Sequence, residues 1–354
     1  MTNEKPIIIS RIELLFINIV LIIVVYYCFN NLFGALNSIG IQGDIFYRLE
    51  SARTYLVLAG EEFSKSTLLS QSSVFTECLA IFCIYAYIYN IIYHNKKSTA
   101  YLLPVMLYIL QLMSSTGRTG YIRLIVVICI IIFIFWKDNV SWTREKDNKI
   151  IKYSLFSVAV FLVLFRLFGY IQGTSQYSTV SENFAKYIGS SIIGLDYYLN
   201  TTYVQSDIFG KETFVKIIQF LRQYGIIDIP YYTMSTGMYF RFGENISNVY
   251  TGLRRSIADF TLIGMFVSRY LLGAFYGIII RRLQRLQTNK KPQRNRFLEI
   301  IIYGFLFYPI TLTAIGDYFS TIFCTTFLYE IVYLYLINWY FIKRRGTRRK
   351  QALR

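Results

Sequence analysis

Residues 119–149 read TGYIRLIVVICIIIFIFWKDNVSWTREKDNK, and two halves of opposite character meet at Trp136. The first half carries a single charge, Arg123, and as a helix it extends about 27 Å, close to the hydrocarbon thickness of a bilayer. Beyond Trp136 the chain turns basic, with Lys137, Arg144, Lys146 and Lys149 set against Asp138, Glu145 and Asp147. An apolar run of spanning length that stops at a basic segment reads as a transmembrane helix whose end faces the cytoplasm.

The same pattern recurs outward in both directions. Of the 354 residues, 55% are hydrophobic and 16% charged, against about 25% charged in soluble domains, so the chain is not a water-soluble protein. Apolar runs place spans near residues 12–33, 73–93, 100–115, 119–136, 151–171, 258–281, 298–316 and 320–342. The fold class is therefore all-α: a single integral membrane domain over residues 1–354, built as a polytopic bundle of about eight transmembrane helices. Only Thr116, Gly117 and Arg118 separate the third and fourth spans, which leaves open a tilted pair or one broken helix. The first run stays uncharged from Leu14 to Gly43, too long for the apolar core of a signal peptide, and reads as an uncleaved anchor.

The formal charge of +17 would point to nucleic acid on a folded surface, but here it lies between the spans. With the N-terminus inside, the cytoplasmic segments and their flanks hold 23 Lys and Arg against six acids, while everything else holds 14 of each sign. This is the positive-inside distribution, with both termini cytoplasmic. It leaves nucleic-acid binding without support. The basic tail, residues 343–354, reads as a stop-transfer anchor, with contact to anionic headgroups as the second reading.

All five cysteines fall inside the spans, where thiols behave as small apolar side chains, and no CxxC motif is present. The single histidine, His94, sits beside Asn95, Lys96 and Lys97 at a cytoplasmic helix end. A zinc cluster and a Ser-His-Asp triad are both excluded as readings, and no metal or cofactor is expected.

Two segments outside the cytoplasm are long. Residues 34–72 carry Glu50, Glu61 and Glu62, and their 50–63 stretch reads as a surface helix. Residues 172–257 form the larger extracytoplasmic loop. Within it Phe184 to Leu199 is apolar but interrupted by Gly189, Gly194 and Asp196, the pattern of a re-entrant or interfacial segment. Thr213 to Tyr224 places Phe214, Ile217, Ile218 and Leu221 on one helical face. Two readings stand for it, a helix on the outer leaflet and a lid packed on the bundle. Tyr231 to Tyr250 is rich in Tyr, Gly, Ser and Asn, which suits sugar stacking and also a membrane-interface loop.

Charges inside spans are expensive and need partners. Arg269 lies 11 residues inward from the outer end of the sixth span and Glu330 lies 10 inward from that of the eighth, both roughly 15 to 17 Å deep. Equal depth and opposite sign predict a structural ion pair. Nearer the outer ends stand Arg118, Arg123, Asp317, Arg254, Arg255 and Asp259. Basic groups there suit a lipid diphosphate, because the guanidinium fork matches phosphate oxygens; Arg123 and Arg255 read instead as headgroup anchors.

Three blocks carry a resemblance. Ser114-Ser115-Thr116-Gly117-Arg118-Thr119-Gly120-Tyr121, Gly194-Leu195-Asp196-Tyr197-Tyr198-Leu199-Asn200, and Asn248-Val249-Tyr250-Thr251 followed by Arg254, Asp259 and Gly264 occur in this order. Together they resemble the O-antigen and capsular polysaccharide polymerases, the oligosaccharide repeat-unit polymerases, from about residue 100 to the last helix. The resemblance implies a glycosyltransferase of the helical, lipid-linked-donor (GT-C-like) type in the bacterial plasma membrane. It carries over to Arg118, Asp196, Arg254 and Asp259. The chain departs from the family in having eight spans where such polymerases have more, and in Arg255 and Ser256 where an apolar or Pro-containing context follows the Arg.

The implied reaction joins undecaprenyl-diphosphate-linked oligosaccharide repeats, donor and acceptor both lipid-linked, outside the cytoplasm. Arg254 and Arg118, with Arg241 behind them, are the candidates for the diphosphate. Asp259, Asp196 and Glu244 compete as general base, with orientation of Arg254 as the other role open to Asp259; Tyr197, Asn248 and Tyr250 are candidates for sugar contact. A chain-length regulator is an admissible protein partner beside membrane lipid. Two other readings remain: a ligase moving the finished glycan, and a non-enzymatic flippase, which should show internal repeats that this sequence lacks.

Overall fold

The computed structural model describes residues 6–52, 66–115, 117, 119–139, 148, 152, 180–229, 240–242, 245–247, 249–288 and 296–344. The expected fifth span apart from Lys152, the acidic part of the first long loop at Glu61 and Glu62, and the basic tail past Arg344 lie outside the described residues. So do Thr116, Arg118, Glu244 and Asn248.

Described in chain order, the helices are α1 (Arg11–Ser38), α2 (Ile45–Ala52), α3 (Thr67–His94), α4 (Leu102–Met113), α5 (Thr119–Asn139), α6 (Val180–Tyr197), α7 (Val215–Gln223), α8 (Leu253–Thr288), α9 (Phe297–Thr311) and α10 (Thr325–Ile337). Strands β1 (Phe240–Phe242) and β2 (Asn245–Ser247) pair antiparallel, Arg241 opposite Ile246. Among the described residues four stretches are long and apolar enough to cross a membrane: Arg11–Ser38, Thr67–His94, Thr119–Trp136 and Leu253–Leu283. Thr99–Met113 and Phe297–Thr311 are shorter apolar helices. The described residues are mostly helical, and their apolar helices have the length and composition of membrane spans.

The first, second and sixth spans run past their expected bounds, and the last two fall short of theirs. The run expected to reach residue 316 stops as a helix at Thr311, two residues past Pro309, and the chain then turns until α10 starts at Thr325. Proline removes a backbone donor and clashes with the preceding turn, so a helix with Pro309 near its end closes early.

Contacts divide the chain into two compact units, Met1–Tyr177 with Lys290–Gly304 and Tyr329–Arg354, and Ser178–Asn289 with Phe305–Leu328. In the first, α3 is the central helix and packs against α1, α4 and α5. Its run from Cys78 to Ala86 is buried on all sides, as a helix that is apolar all round requires. Phe82 stacks on Phe341 at 4.7 Å, and Tyr85 meets Phe135 and Phe297 edge-on at 5.1 and 4.9 Å. α1 turns Ile17, Leu21, Val24, Cys28, Leu32 and Leu36 inward and leaves Ile12, Leu15, Phe16, Ile19 and Ile22 on its outer surface for lipid. Ser10 and Glu13 close a capping box at its start. The extended segment before it is held by Asn90, whose amide accepts from Ile7 N at 2.9 Å and donates to Ile7 O at 2.7 Å.

Polar side chains also link these helices. Thr76 of α3 donates to Gln111 of α4 at 2.7 Å, and Gln71 meets the Tyr333 hydroxyl at 3.2 Å. The charged knot is Arg123 of α5, which binds the Glu330 carboxylate of α10 and lies 3.4 Å from Glu77 of α3. The expected pairing of Glu330 with Arg269 is therefore corrected: Glu330 belongs to Arg123, and Arg269 to Asp317 at 3.4 Å. Equal depth does not fix the direction in which a side chain leaves its helix. The expectation that Arg123 anchors at the headgroups is corrected for the same reason, since its guanidinium turns inward to two acids.

Candidate functional site

The site is assembled at the head of α8, in the second unit. Thr261 breaks this helix with φ 63° and ψ −178°, so Leu253 to Phe260 forms a short helix ahead of the long apolar one. A β-branched residue at positive φ costs on the order of 1–3 kcal/mol. Gly264 permits the break, because a Cβ there would collide with Cβ of Phe260.

The short helix carries Arg254, Arg255 and Asp259, all buried. Arg254 lies over two aromatic rings, 5.3 Å from Tyr198 and 4.8 Å from Tyr250, and ion-pairs with Glu212 at 3.6 Å. Such rings attract a guanidinium. Burial pushes the Tyr198 and Tyr250 phenols up, against the opposing pull of Arg254, so both hydroxyls stay protonated near neutral pH.

Asp259 organises a neighbouring loop. One carboxylate oxygen accepts from Ser206 Oγ at 2.7 Å and Glu212 N at 3.0 Å, and the other from Thr213 N at 2.6 Å. Ser206 N donates to Ala258 O at 2.8 Å. The loop from Ser206 to Thr213 is thus fastened to the head of α8, which delivers Glu212 to Arg254. Behind it α7 buries Val215 and Ile218 and packs against the short turn Phe319–Thr321, with Phe214 5.7 Å from Phe323. The opposite side of this segment leaves Phe220 and Tyr224 exposed.

A second arginine pair braces the underside. Arg255 donates to Ser320 Oγ at 3.1 Å, which corrects its reading as a headgroup anchor. Arg269 donates to Gly252 O and to Ser256 Oγ at 2.7 Å beside its pairing with Asp317, and Asp317 accepts from Phe319 N at 3.0 Å.

Two of the three sequence blocks meet here. A Cβ at Gly194 of α6 would fall 2.5 Å from Val249 O and 2.8 Å from the Phe240 ring, so only glycine lets the strand pair and the Val249–Tyr250 segment seat on this helix. Tyr197 stacks on Phe240 at 5.6 Å, and Tyr198 meets Tyr250 at 6.5 Å. Asp196 does not join the cluster: it is exposed and accepts from Asn200 Nδ2 at 3.0 Å. Arg241 is exposed on β1. Arg118, Glu244 and Asn248 lie outside the described residues. Glu212, Ser206 and Tyr198 are the members that sequence reasoning assigned no role; Glu212 is 47 residues from Asp259, and no spacing rule links them.

Arg254, Arg255 and Arg269 are matched in formal charge by Glu212, Asp259 and Asp317. The arrangement can hold an anion on Arg254 once an acid yields its place. Among the described residues no group of His, Cys, Asp and Glu comes together as a metal site. No protein-family model, curated protein or solved structure matches the chain.

Proposed function

We propose that this protein polymerises undecaprenyl-diphosphate-linked oligosaccharide repeats into O-antigen or capsular polysaccharide at the outer face of the bacterial plasma membrane, through about eight transmembrane helices with both termini cytoplasmic. The observation that carries the reading is the meeting of Gly194–Asn200 with Val249–Asp259 around Arg254, two blocks on which the family resemblance rests.

In the reaction a terminal sugar hydroxyl of the acceptor forms a bond to the anomeric carbon of the donor, and the bond from that carbon to the diphosphate oxygen breaks. Undecaprenyl diphosphate leaves with the electron pair. Negative charge grows on its oxygen in the transition state, where a fixed guanidinium binds it more strongly than in the ground state. Arg254, set over the rings of Tyr198 and Tyr250, serves as that guanidinium; Arg118, the other arginine that the resemblance carries over, lies outside the described residues. Asp259 already accepts three hydrogen bonds and acts as a positioning residue. The hydroxyl proton passes to a carboxylate; of the remaining candidates Asp196 is exposed and outside the Arg254 cluster, and Glu244 lies outside the described residues.

The test is purified protein in nanodiscs with one defined lipid-linked repeat and no nucleotide sugar. A ladder of products supports polymerisation. Folded protein that makes no glycosidic bond from that donor, or only a single transfer to a different acceptor, rejects it.

A further inference from the structure

Arg254 cannot receive a diphosphate as it stands. Its side chain is 4% exposed and its charge is engaged by Glu212, whose side chain is 12% exposed. An anion that binds Arg254 competes with that carboxylate.

The backbone beneath Glu212 is fixed. Its own N–H and that of Thr213 donate to Asp259, and Ser206 is tied at both Oγ and N. The loop has no need to leave for the carboxylate to move, because rotation about the side-chain bonds of Glu212 swings it off the guanidinium. Moving Glu212 off without a replacement takes the countercharge away from a buried arginine, which is unfavourable. A diphosphate replaces it well: it brings more charge than one carboxylate and oxygens that match the guanidinium fork.

We propose that Glu212 is a placeholder for the leaving group, a carboxylate that keeps Arg254 satisfied in the substrate-free protein and is displaced when a lipid diphosphate arrives. This rests on the reading of Arg254 as the diphosphate ligand. Displacement costs each incoming anion the Glu212–Arg254 pairing, so Glu212 lowers the affinity of the site for the anions it admits.

The experiment measures binding of undecaprenyl diphosphate to the full chain in nanodiscs, for the parent, Glu212→Gln and Arg254→Gln, each checked for folding by size-exclusion profile and melting temperature. Glu212→Gln removes the competing charge and keeps the shape, so it is expected to bind about tenfold tighter, while Arg254→Gln loses binding. Parent and Glu212→Gln of equal affinity, or a weaker Glu212→Gln, with binding still dependent on Arg254, would overturn the placeholder and leave the diphosphate reading standing. No binding by any folded form overturns both. If Glu212→Gln does not fold, Glu212→Asp carries the test, since its shorter side chain keeps the charge but withdraws it from Arg254; it too must bind tighter than the parent, and equal affinity would overturn the proposal.

Discussion

Arg123 of α5 and Glu330 of α10 form an ion pair within apolar helices, and Glu77 of α3 lies 3.4 Å from the same guanidinium. One arginine therefore serves two carboxylates, and the three members are unequal. Arg123→Gln leaves two acids facing each other and is expected to cost roughly 3 to 5 kcal/mol, the range for an orphaned buried charge. Glu330→Gln leaves Arg123 matched by Glu77 and should cost clearly less. In a double-mutant cycle read by thermal unfolding in detergent, Arg123 and Glu330 should couple, whereas Arg269 and Glu330 should add within about 0.5 kcal/mol. Coupling of Arg269 to Glu330 would contradict the partners assigned here.

Two glycines of α6 separate close packing from helix propensity. A methyl at Gly194 meets Val249 O, whereas one at Gly189 meets nothing within 4 Å. Gly194→Ala is expected to destabilise by about 1–3 kcal/mol through overpacking, and Gly189→Ala to stabilise by up to about 1 kcal/mol through its better helix propensity. Melting temperatures of the two single variants test the contrast.

Asp259 is expected to control the loop more than the chemistry. Asp259→Ala leaves the amides of Glu212 and Thr213 and the Ser206 hydroxyl without their acceptor. Hydrogen exchange across residues 206–213 should accelerate by tenfold or more on losing about 1.5–3 kcal/mol of charged hydrogen bonding, while Ser206→Ala, which removes one of the three donors, should change it less. Unchanged exchange in Asp259→Ala would show that the loop is held by other contacts.

Topology is open to direct labelling. In a cysteine-free background, Gln205→Cys, at an exposed position of the loop, is expected to react with an impermeant thiol reagent in intact cells, and Ser141→Cys only after lysis. Labelling of both in intact cells contradicts the orientation.

How much of this was legible depends on the range of the interaction. The length of α1 was legible, but it is apolar on every side, so its lipid and core faces are set by packing; Arg254 and Asp259 were close in sequence, yet the expected span began at 258 and left Arg254 off the helix that carries both. Gly194 was visible as an interruption in an apolar run, but its partner, Val249 O, is set by tertiary packing. Arg269 and Glu330 had matching depth, and depth says nothing of azimuth, so Asp317 and Arg123 took the places expected of them. Glu212 carried no local signal, since its position depends on hydrogen bonds from a loop to a distant carboxylate. The break at Thr261 was also hidden, because a β-branched residue is the last expected at positive φ.

The most direct test of the account is the initial rate of polymer formation from a defined undecaprenyl-diphosphate-linked repeat by Arg254→Lys and Arg254→Ala at matched folded protein. Lysine keeps the charge but loses the planar two-pronged contact, so Arg254→Lys should fold, insert and polymerise at least about tenfold more slowly, with the loss chiefly in kcat. Arg254→Ala should make no ladder. A normal ladder from Arg254→Ala would remove this arginine from the reaction and contradict the proposed site.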